Sequence, residues 1–211
     1  IVTFTTGLRH TCAIADDSTA WCWGENDFGQ LGVGDNDDRN APTQVLLPAG
    51  TTPISINAGG HTTCVILDNG TGLCWGKSDY GHLGDGTYNN RDEPTPISIL
   101  PSNRSLVAMD LGAGHACGIL DDGTAHCWGN GTFSSGESGG RLGDGSNESS
   151  RFPRSVSLPS GRNAISIDVG VDHTCAILDD SSAVCWGLNE EGQLGDGSTS
   201  NSTTPVNVSV P

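Results

Sequence analysis

The segment HTCAILDDSSAVCWG (173–187), followed by GQLGDG (192–197), decides the fold of this chain, because versions of both occur four times in 211 residues. The Cys-Trp-Gly copies lie at 22–24, 74–76, 127–129 and 185–187, and the glycine-rich turns begin at Gly29, Gly81, Gly140 and Gly192. The four tryptophans, at 23, 75, 128 and 186, are 52, 53 and 58 residues apart. An internal repeat of this period predicts a propeller or another repeat architecture.

Apolar residues alternate within each repeat. Ten and eight residues before the first Cys stand Val2 and Phe4, Ile54 and Ile56, Val107 and Met109, or Ile165 and Ile167. Each pair predicts a first strand with both side chains on one face. Cys12 and Ile14 predict a second strand, and the run into Cys-Trp-Gly predicts a third. Asp-Asp-Ser, Asp-Asn-Gly or Asp-Asp-Gly between them predicts a tight hairpin. Val206, Val208 and Val210 predict a fourth strand. Four short strands per repeat are typical of a propeller blade, so the predicted class is all-β.

Gly59-Gly60-His61, the four Cys-Trp-Gly sites and Gly-Gln-Leu-Gly-Asp-Gly at 192–197 resemble the RCC1 (regulator of chromosome condensation) repeat family over essentially the whole chain. The resemblance implies a β-propeller-type array of four-stranded blades around an axis. The predicted blades are 1–52, 53–105, 106–163 with a loop insertion at about 130–139, and 164–211, together one domain. The family's usual ring has seven blades. Four repeats therefore predict either a four-bladed form or blades that continue in another chain or beyond both ends.

All eight cysteines fall in pairs ten residues apart: Cys12 and Cys22, Cys64 and Cys74, Cys117 and Cys127, and Cys175 and Cys185. A hairpin centred between the members of a pair sets them opposite each other on neighbouring strands. The spacing predicts four disulfides, each within its own blade. Four disulfides indicate an oxidising location, which predicts an extracellular or cell-surface protein.

Two metal sites compete with simpler interpretations. His10, His115 and His173 each lie two residues before a Cys, but the close cysteine pairs of structural zinc sites are absent from the sequence, which favours a structural hydrogen-bonding role. Asp35 to Asp38 could hold calcium weakly, yet the loop lacks the alternating ligands of a calcium loop, and a solvated acidic surface is favoured. No cofactor is predicted.

The formal net charge of −16 disfavours nucleic acid and anionic membrane surfaces as partners. No apolar stretch approaches the about 18 to 20 residues that span a bilayer, so no membrane insertion is predicted. The first residues also lack the pattern of a signal peptide. The chain opens at Ile1, which predicts a processed product or a segment of a longer protein.

Six Asn-x-Ser/Thr sequons suit a secreted protein, and all are expected to be exposed: Asn69, Asn103, Asn130, Asn147, Asn201 and Asn207. N-linked glycans on several of them are predicted. The alternative, that Asn, Ser and Thr merely populate turns, stays open.

Catalysis needs an asymmetric group of residues, whereas nearly every His, Asp and Cys here recurs repeat by repeat, and no Gly-x-Ser-x-Gly elbow is present. The chain is predicted not to be an enzyme. Trp23, Trp75, Trp128 and Trp186 could form a sugar-binding belt, but their position after the disulfide Cys favours blade packing.

Some members of the resembled family exchange nucleotide on a small GTPase and dock on chromatin, but the disulfides disagree with that setting. Two non-enzymatic functions remain. The favoured one is a structural building block that associates with itself, or with further repeats, into a fibre or surface layer. The other is a secreted propeller that binds another extracellular protein through rim loops, and Phe133 in the insertion is the predicted partner contact.

Overall fold

The computed structural model describes residues 1–98, 101, 103–133 and 139–209, and sixteen strands lie in these ranges. They are β1 (Thr3–Thr6), β2 (His10–Ile14), β3 (Ala20–Gly24), β4 (Arg39–Gln44), β5 (Pro53–Gly59), β6 (Thr62–Leu67), β7 (Gly72–Gly76), β8 (Arg91–Pro96), β9 (Leu106–Leu111), β10 (His115–Leu120), β11 (Ala125–Gly129), β12 (Ser150–Ser155), β13 (Ala164–Val169), β14 (His173–Leu178), β15 (Ala183–Gly187) and β16 (Ser202–Asn207). Within the described ranges no helix is long and apolar enough to cross a membrane.

The strands form four antiparallel sheets of four, each in chain order, which we call blades 1 to 4: β1–β4, β5–β8, β9–β12 and β13–β16. This confirms the predicted all-β blades. First strands of successive blades contact each other, β1 with β5, β5 with β9 and β9 with β13, so the blades fan out in sequence.

The hairpins between the second and third strands need a left-handed residue, and the chain supplies Ser18, Gly70, Gly123 and Ser181, with φ of 65°, 78°, 79° and 68°. The preceding Asp or Asn stabilises the turn. Asp17 Oδ1, for example, accepts from the Thr19 backbone N–H at 3.1 Å. These turns fix the register that follows.

That register sets each pair of cysteines directly opposite on the second and third strands, with Cα atoms 4.1 Å apart in all four blades. Such close partners are typical of the non-hydrogen-bonded positions of an antiparallel ladder. The disulfides are Cys12–Cys22, Cys64–Cys74, Cys117–Cys127 and Cys175–Cys185, as the spacing predicts.

The first strands depart from the expected alternation. In blades 2 to 4 the register slips by one residue near the start of the strand, a β-bulge at Ile54, Val107 and Ile165. The bulge turns these three side chains to solvent, while Ile56, Met109 and Ile167 are buried. The expectation that both members of each pair share a face was therefore wrong for blades 2 to 4.

The core lies between blades rather than within them. One cluster joins Cys12, Ile14 and Leu31 of blade 1 to Ile56 and Trp75 of blade 2. The clusters between blades 2 and 3 and between blades 3 and 4 repeat the pattern with equivalent residues. Each blade is therefore completed by its neighbour.

Non-reducing peptide mapping of the native chain should recover only these four links, since no described cysteine is free. A link between different blades contradicts this pairing.

Replacing Cys64 and Cys74 together by Ala should lower the free energy of unfolding by about 3 kcal/mol, because the link closes a short loop in the unfolded chain. Urea unfolding of the oxidised variant beside the oxidised wild-type protein measures this loss, and equal stability of the two contradicts it.

Candidate functional site

Each internal junction is fastened by an indole N–H that crosses between blades. The Nε1–H of Trp75 donates to the backbone carbonyl of Gln30, that of Trp128 to His82 and that of Trp186 to Arg141, each at 2.9 Å. The three acceptors occupy the same place, the second residue of the glycine-rich turn of the preceding blade. All three indoles are fully buried. These tryptophans serve blade packing rather than a sugar-binding belt.

Glycine is required where the turn passes the indole. Gly32 has φ of 68°, and a Cβ there would lie 2.7 Å from the Nε1 of Trp75. Gly143 meets Trp186 in the same way. The repeated Gly-x-Leu-Gly turn is therefore a seat for the next blade's tryptophan.

A second bond crosses two of the junctions. His10 Nε2 lies 2.8 Å from the hydroxyl of Thr63 in blade 2, and His115 Nε2 lies 2.8 Å from that of Thr174 in blade 4. Since the Thr63 hydroxyl also donates to the Gln30 carbonyl at 2.8 Å, its proton is committed and it accepts from the histidine. His10 is therefore the Nε2–H tautomer.

Burial keeps these histidines neutral. Desolvation, reinforced by the charge of His61 and opposed by Glu25, lowers the pKa of His10 to about 4. Burial, reinforced by Arg141 and opposed by Asp172, lowers the pKa of His115 to about 3. At neutral pH both rings are uncharged, and His10 acts as a hydrogen-bond donor, so their roles are structural.

The junction between blades 2 and 3 lacks this pair. Ladder position shows that Thr62, opposite Gly76, takes the place of His10, which lies opposite Gly24, and that Ala116 takes the place of Thr63. His61 lies one residue earlier, in the turn, where its Nδ1 is 2.8 Å from Glu25 Oε2. His61 therefore stands three residues before Cys64, whereas His10, His115 and His173 each stand two residues before a Cys.

Blades 1 and 4, at the two ends of the array, expose the two surfaces that meet in each internal junction. We call the surface of blade 1 that carries Phe4, Thr11 and Trp23 the leading face. Phe4 is 71% exposed, whereas its counterparts Ile56, Met109 and Ile167 are at most 9% exposed. Trp23 is partly exposed, unlike the other three tryptophans of the series, and among the described residues nothing accepts its indole N–H.

We call the surface of blade 4 that carries His173, Ile177 and Gln193 the trailing face. Ile177 is 45% exposed, whereas its counterparts Ile14, Ile66 and Ile119 are at most 5% exposed. A hollow of about 300 Å³ on this face is lined by Cys175, Ile177 and Ala183, among others. In the internal junctions the equivalent positions are covered by the next blade.

A second cavity, the rim cavity, has a volume of about 340 Å³ and is lined by His61, Lys77, His82, Phe133, Arg141 and Val171, among others. Arg141 is buried and pairs with Asp172. Burial lowers the pKa of His82 to about 4. Within the described ranges, His82 Nε2 and Arg141 Nε have no hydrogen-bond partner.

Phe133, predicted as an exposed partner contact, is only 2% exposed and forms part of the cavity wall. That prediction was wrong, because Thr132 and Phe133 turn inward where the Asn130 side chain accepts from the Thr132 backbone N–H at 2.9 Å. The rest of the predicted insertion, 134–138, lies outside the described residues.

Five of the six sequons are exposed: Asn69, Asn103, Asn147, Asn201 and Asn207. Asn130 is buried, and its Oδ1 accepts from Thr132 and from the Ser149 hydroxyl at 3.2 Å. The expectation that Asn130 is exposed was wrong, because its side chain holds the base of the insertion together.

The carboxylates of the acidic loop bind the protein itself. Asp35 accepts from the Asp37 N–H at 3.0 Å and pairs with Arg39 at 2.5 Å, and Asp38 accepts from the Asn26 N–H at 2.7 Å. No cluster of three potential metal ligands was found in the part of the chain that the structure describes.

The repeats match a known family model. The description "Regulator of chromosome condensation (RCC1) repeat" applies to matches at residues 17–66, 69–119, 122–177 and 184–211. The chain belongs to the RCC1 repeat family. A second RCC1 repeat model matches 1–30, 106–135 and 164–193.

Among relatives, the probable E3 ubiquitin-protein ligase HERC4 of Homo sapiens is 32% identical over 210 residues, which cover 99% of this chain and 19% of HERC4. The ultraviolet-B receptor UVR8 of Arabidopsis thaliana is 28% identical over 209 residues, 99% of this chain and 46% of UVR8. This chain thus spans less than half the length of each of these curated relatives.

Several solved structures share the fold. Human WBSCR16 superposes with a TM-score of 0.86 at 22% identity, covering 100% of this chain and 53% of WBSCR16. Yeast RCC1 (Prp20), solved bound to Kap60, gives 0.80 at 24%, covering 99% and 49%. The ectodomain of the Arabidopsis thaliana receptor kinase ACR4 gives 0.52 at 23%, covering 99% and 52%.

The indole bond predicts a sharp difference between two equivalent tryptophans. Trp75→Phe leaves the buried Gln30 carbonyl without its indole donor and opens a void, so the free energy of unfolding should fall by about 2 to 4 kcal/mol. Trp23→Phe, at the uncovered end, should cost less than about 1 kcal/mol in the isolated chain. Denaturant unfolding measures both, and equal losses would contradict the assigned role.

Proposed function

We propose that this chain is a non-enzymatic building block of an extracellular assembly. It works by joining further RCC1-type blades, in its own copies or in additional repeats, through the leading and trailing faces. A fibre or a surface layer is the assembled form. The observation that carries this proposal is the exposure of Phe4 and Ile177 at positions that every internal junction buries.

The nature of the sheet edges supports face packing over edge pairing. The outer strand of each blade carries a proline at its fourth position: Pro42, Pro94, Pro153 and Pro205. Proline has no N–H to donate to an added strand, so these edges resist growth by strand addition. The uncovered apolar surface of the two ends lies instead on the blade faces.

The extracellular location rests on chemistry rather than on fold. Four disulfides persist in an oxidising compartment, and five exposed sequons suit the same setting. The ACR4 structure, itself an ectodomain, is a case of this fold outside the cell. A net charge of −16 further disfavours the nucleic-acid partners of a nuclear protein.

A second candidate function is partner binding through the rim cavity. Lys77 and the buried Arg141 line it in an otherwise acidic chain, and Arg141 Nε is without a described partner. A small acidic group of another extracellular protein fits this chemistry. The RCC1 relative Prp20p, studied for its binding to Gsp1p and histones, is a precedent for protein partners.

Sedimentation velocity over a range of micromolar concentrations tests the assembly. The chain of 21.7 kDa should form larger species whose fraction rises with concentration, and electron microscopy should show rings or filaments. A monodisperse monomer throughout the range contradicts the building block and favours the rim-cavity function.

Intact mass before and after glycosidase treatment tests the location. Material from a source with the N-glycosylation pathway should lose mass, with sugar mapped to exposed sequons such as Asn69 and Asn201 and none at Asn130, whose amide is buried. An unchanged mass of native material contradicts the predicted glycans.

A further inference from the structure

We infer that two copies of this chain associate head to tail, the leading face of one copy docking on the trailing face of the other as a fourth junction of the internal kind. This inference rests on the proposed function and names its interface. In that junction Trp23 of one copy donates to the Gln193 carbonyl of the other. His173 of the second copy pairs with Thr11 of the first.

Three internal copies of the indole bond show how the bond between two chains would form. In each, the tryptophan after the second cysteine donates to the second residue of the preceding glycine-rich turn. Blade 4 presents the same turn, but among the described residues the Gln193 carbonyl has no donor, and Gly195 is exposed where Gly32, Gly84 and Gly143 are buried. The seat is built and uncovered, and Trp23 is the one tryptophan of the series that has no described seat.

The histidine and threonine pair of the internal junctions has both its halves at the two ends of the chain. A histidine two residues before the first cysteine pairs with a threonine one residue before the first cysteine of the next blade, as His10 does with Thr63. His173 occupies the histidine position of blade 4, and Thr11 occupies the threonine position of blade 1. Among the described residues, the side chains of His173 and Thr11 have no hydrogen-bond partner. The two ends thus hold opposite halves of one pair.

A third contact joins the inner strands. The residue seven places before the first cysteine accepts a backbone N–H of the next blade, since Ala58 N–H donates to Thr5 Oγ1 at 3.1 Å and Val169 N–H donates to Asp110 Oδ2 at 2.7 Å. Asp168 is exposed at this position of blade 4. The equivalent donor on blade 1 is the N–H of Thr6.

The apolar surfaces match as well. Phe4 occupies the position from which Ile56, Met109 and Ile167 enter the inter-blade clusters. The hollow beside Ile177 has a volume of about 300 Å³ and lies where the next blade covers the equivalent positions of the internal junctions. An aromatic ring is the side chain on the leading face that fills such a hollow.

The occupant is a second copy because the two faces differ and complete each other. A symmetric pairing of two leading faces would bring Trp23 against Trp23, with no carbonyl seat on either side. A heterologous contact leaves one leading and one trailing face open, so it propagates to rings or filaments.

Complementary blocking variants test the interface in the full chain at about 0.3 M salt, which screens repulsion between copies of charge −16. Phe4→Asp blocks only the leading face and Ile177→Asp only the trailing face. Because both side chains are exposed, each variant should unfold at nearly the wild-type denaturant midpoint. Val107→Asp, a 56% exposed apolar residue of blade 3, is the matched control and should associate like wild type.

Each blocked variant alone should sediment as a monomer. Their equimolar mixture should form a 1:1 dimer and nothing larger, because only the trailing face of the Phe4→Asp variant and the leading face of the Ile177→Asp variant remain unblocked. Thr11→Val should weaken wild-type association about 3- to 10-fold, and Thr43→Val on the outer strand should not. Wild-type association that persists in either blocked variant, or a mixture that stays monomeric, overturns this interface while the building block stands. A monomeric wild-type chain overturns both.

Discussion

The indole N–H that crosses each junction is the interaction on which the rest of this structure depends. A tryptophan of one blade donates to a backbone carbonyl of the blade before it, and that carbonyl lies in a turn whose glycines let the indole approach. Neither group is satisfied inside its own blade. Because the apolar clusters also lie between blades, stability is a property of neighbours, as in other repeat proteins.

The junctions are alike in geometry but unequal in polar content. Those between blades 1 and 2 and between blades 3 and 4 carry a buried histidine and threonine pair, whereas the middle one has Ala116, and Thr62 donates to Lys77 of its own blade at 3.1 Å. The middle junction therefore keeps the indole bond but lacks the histidine and threonine pair. The rim cavity lies beside that junction.

Local patterns allowed much of this to be predicted. Hairpin residues such as Asp17 and Ser18, and cysteines ten apart, act within one blade, so their spacing in the sequence determines the turn and the disulfide. The bulge at Ile54 could not be predicted, because the alternation of apolar residues along the strand gives no sign of the extra residue. Phe133 and Asn130 were misplaced because their surroundings include distant groups, the wall of the rim cavity for Phe133 and the Ser149 hydroxyl for Asn130.

The junction bonds were not predicted, although a signal for them was present. Where Thr62 replaces the histidine of blade 2, Ala116 replaces the threonine of blade 3, and this joint change marks a contact across blades. His61 is shifted by one residue relative to the histidines of the other repeats. Its spacing to Cys64 shows that shift, and the pairing of Thr62 with Gly76 agrees with it.

The placement of the disulfides determines how the array would respond to mechanical tension. Each link joins adjacent strands of one blade and none crosses a junction. Tension applied along the chain would therefore part the seams between blades first, while the ten-residue loop inside each link stays closed. When a blade then unfolds, about 33 Å of its extended chain stays inside the closed disulfide loop and does not add to the length of the stretched chain. In such an assembly the noncovalent junctions between blades would separate one after another. Each blade would keep its disulfide-linked hairpin, from which it could refold.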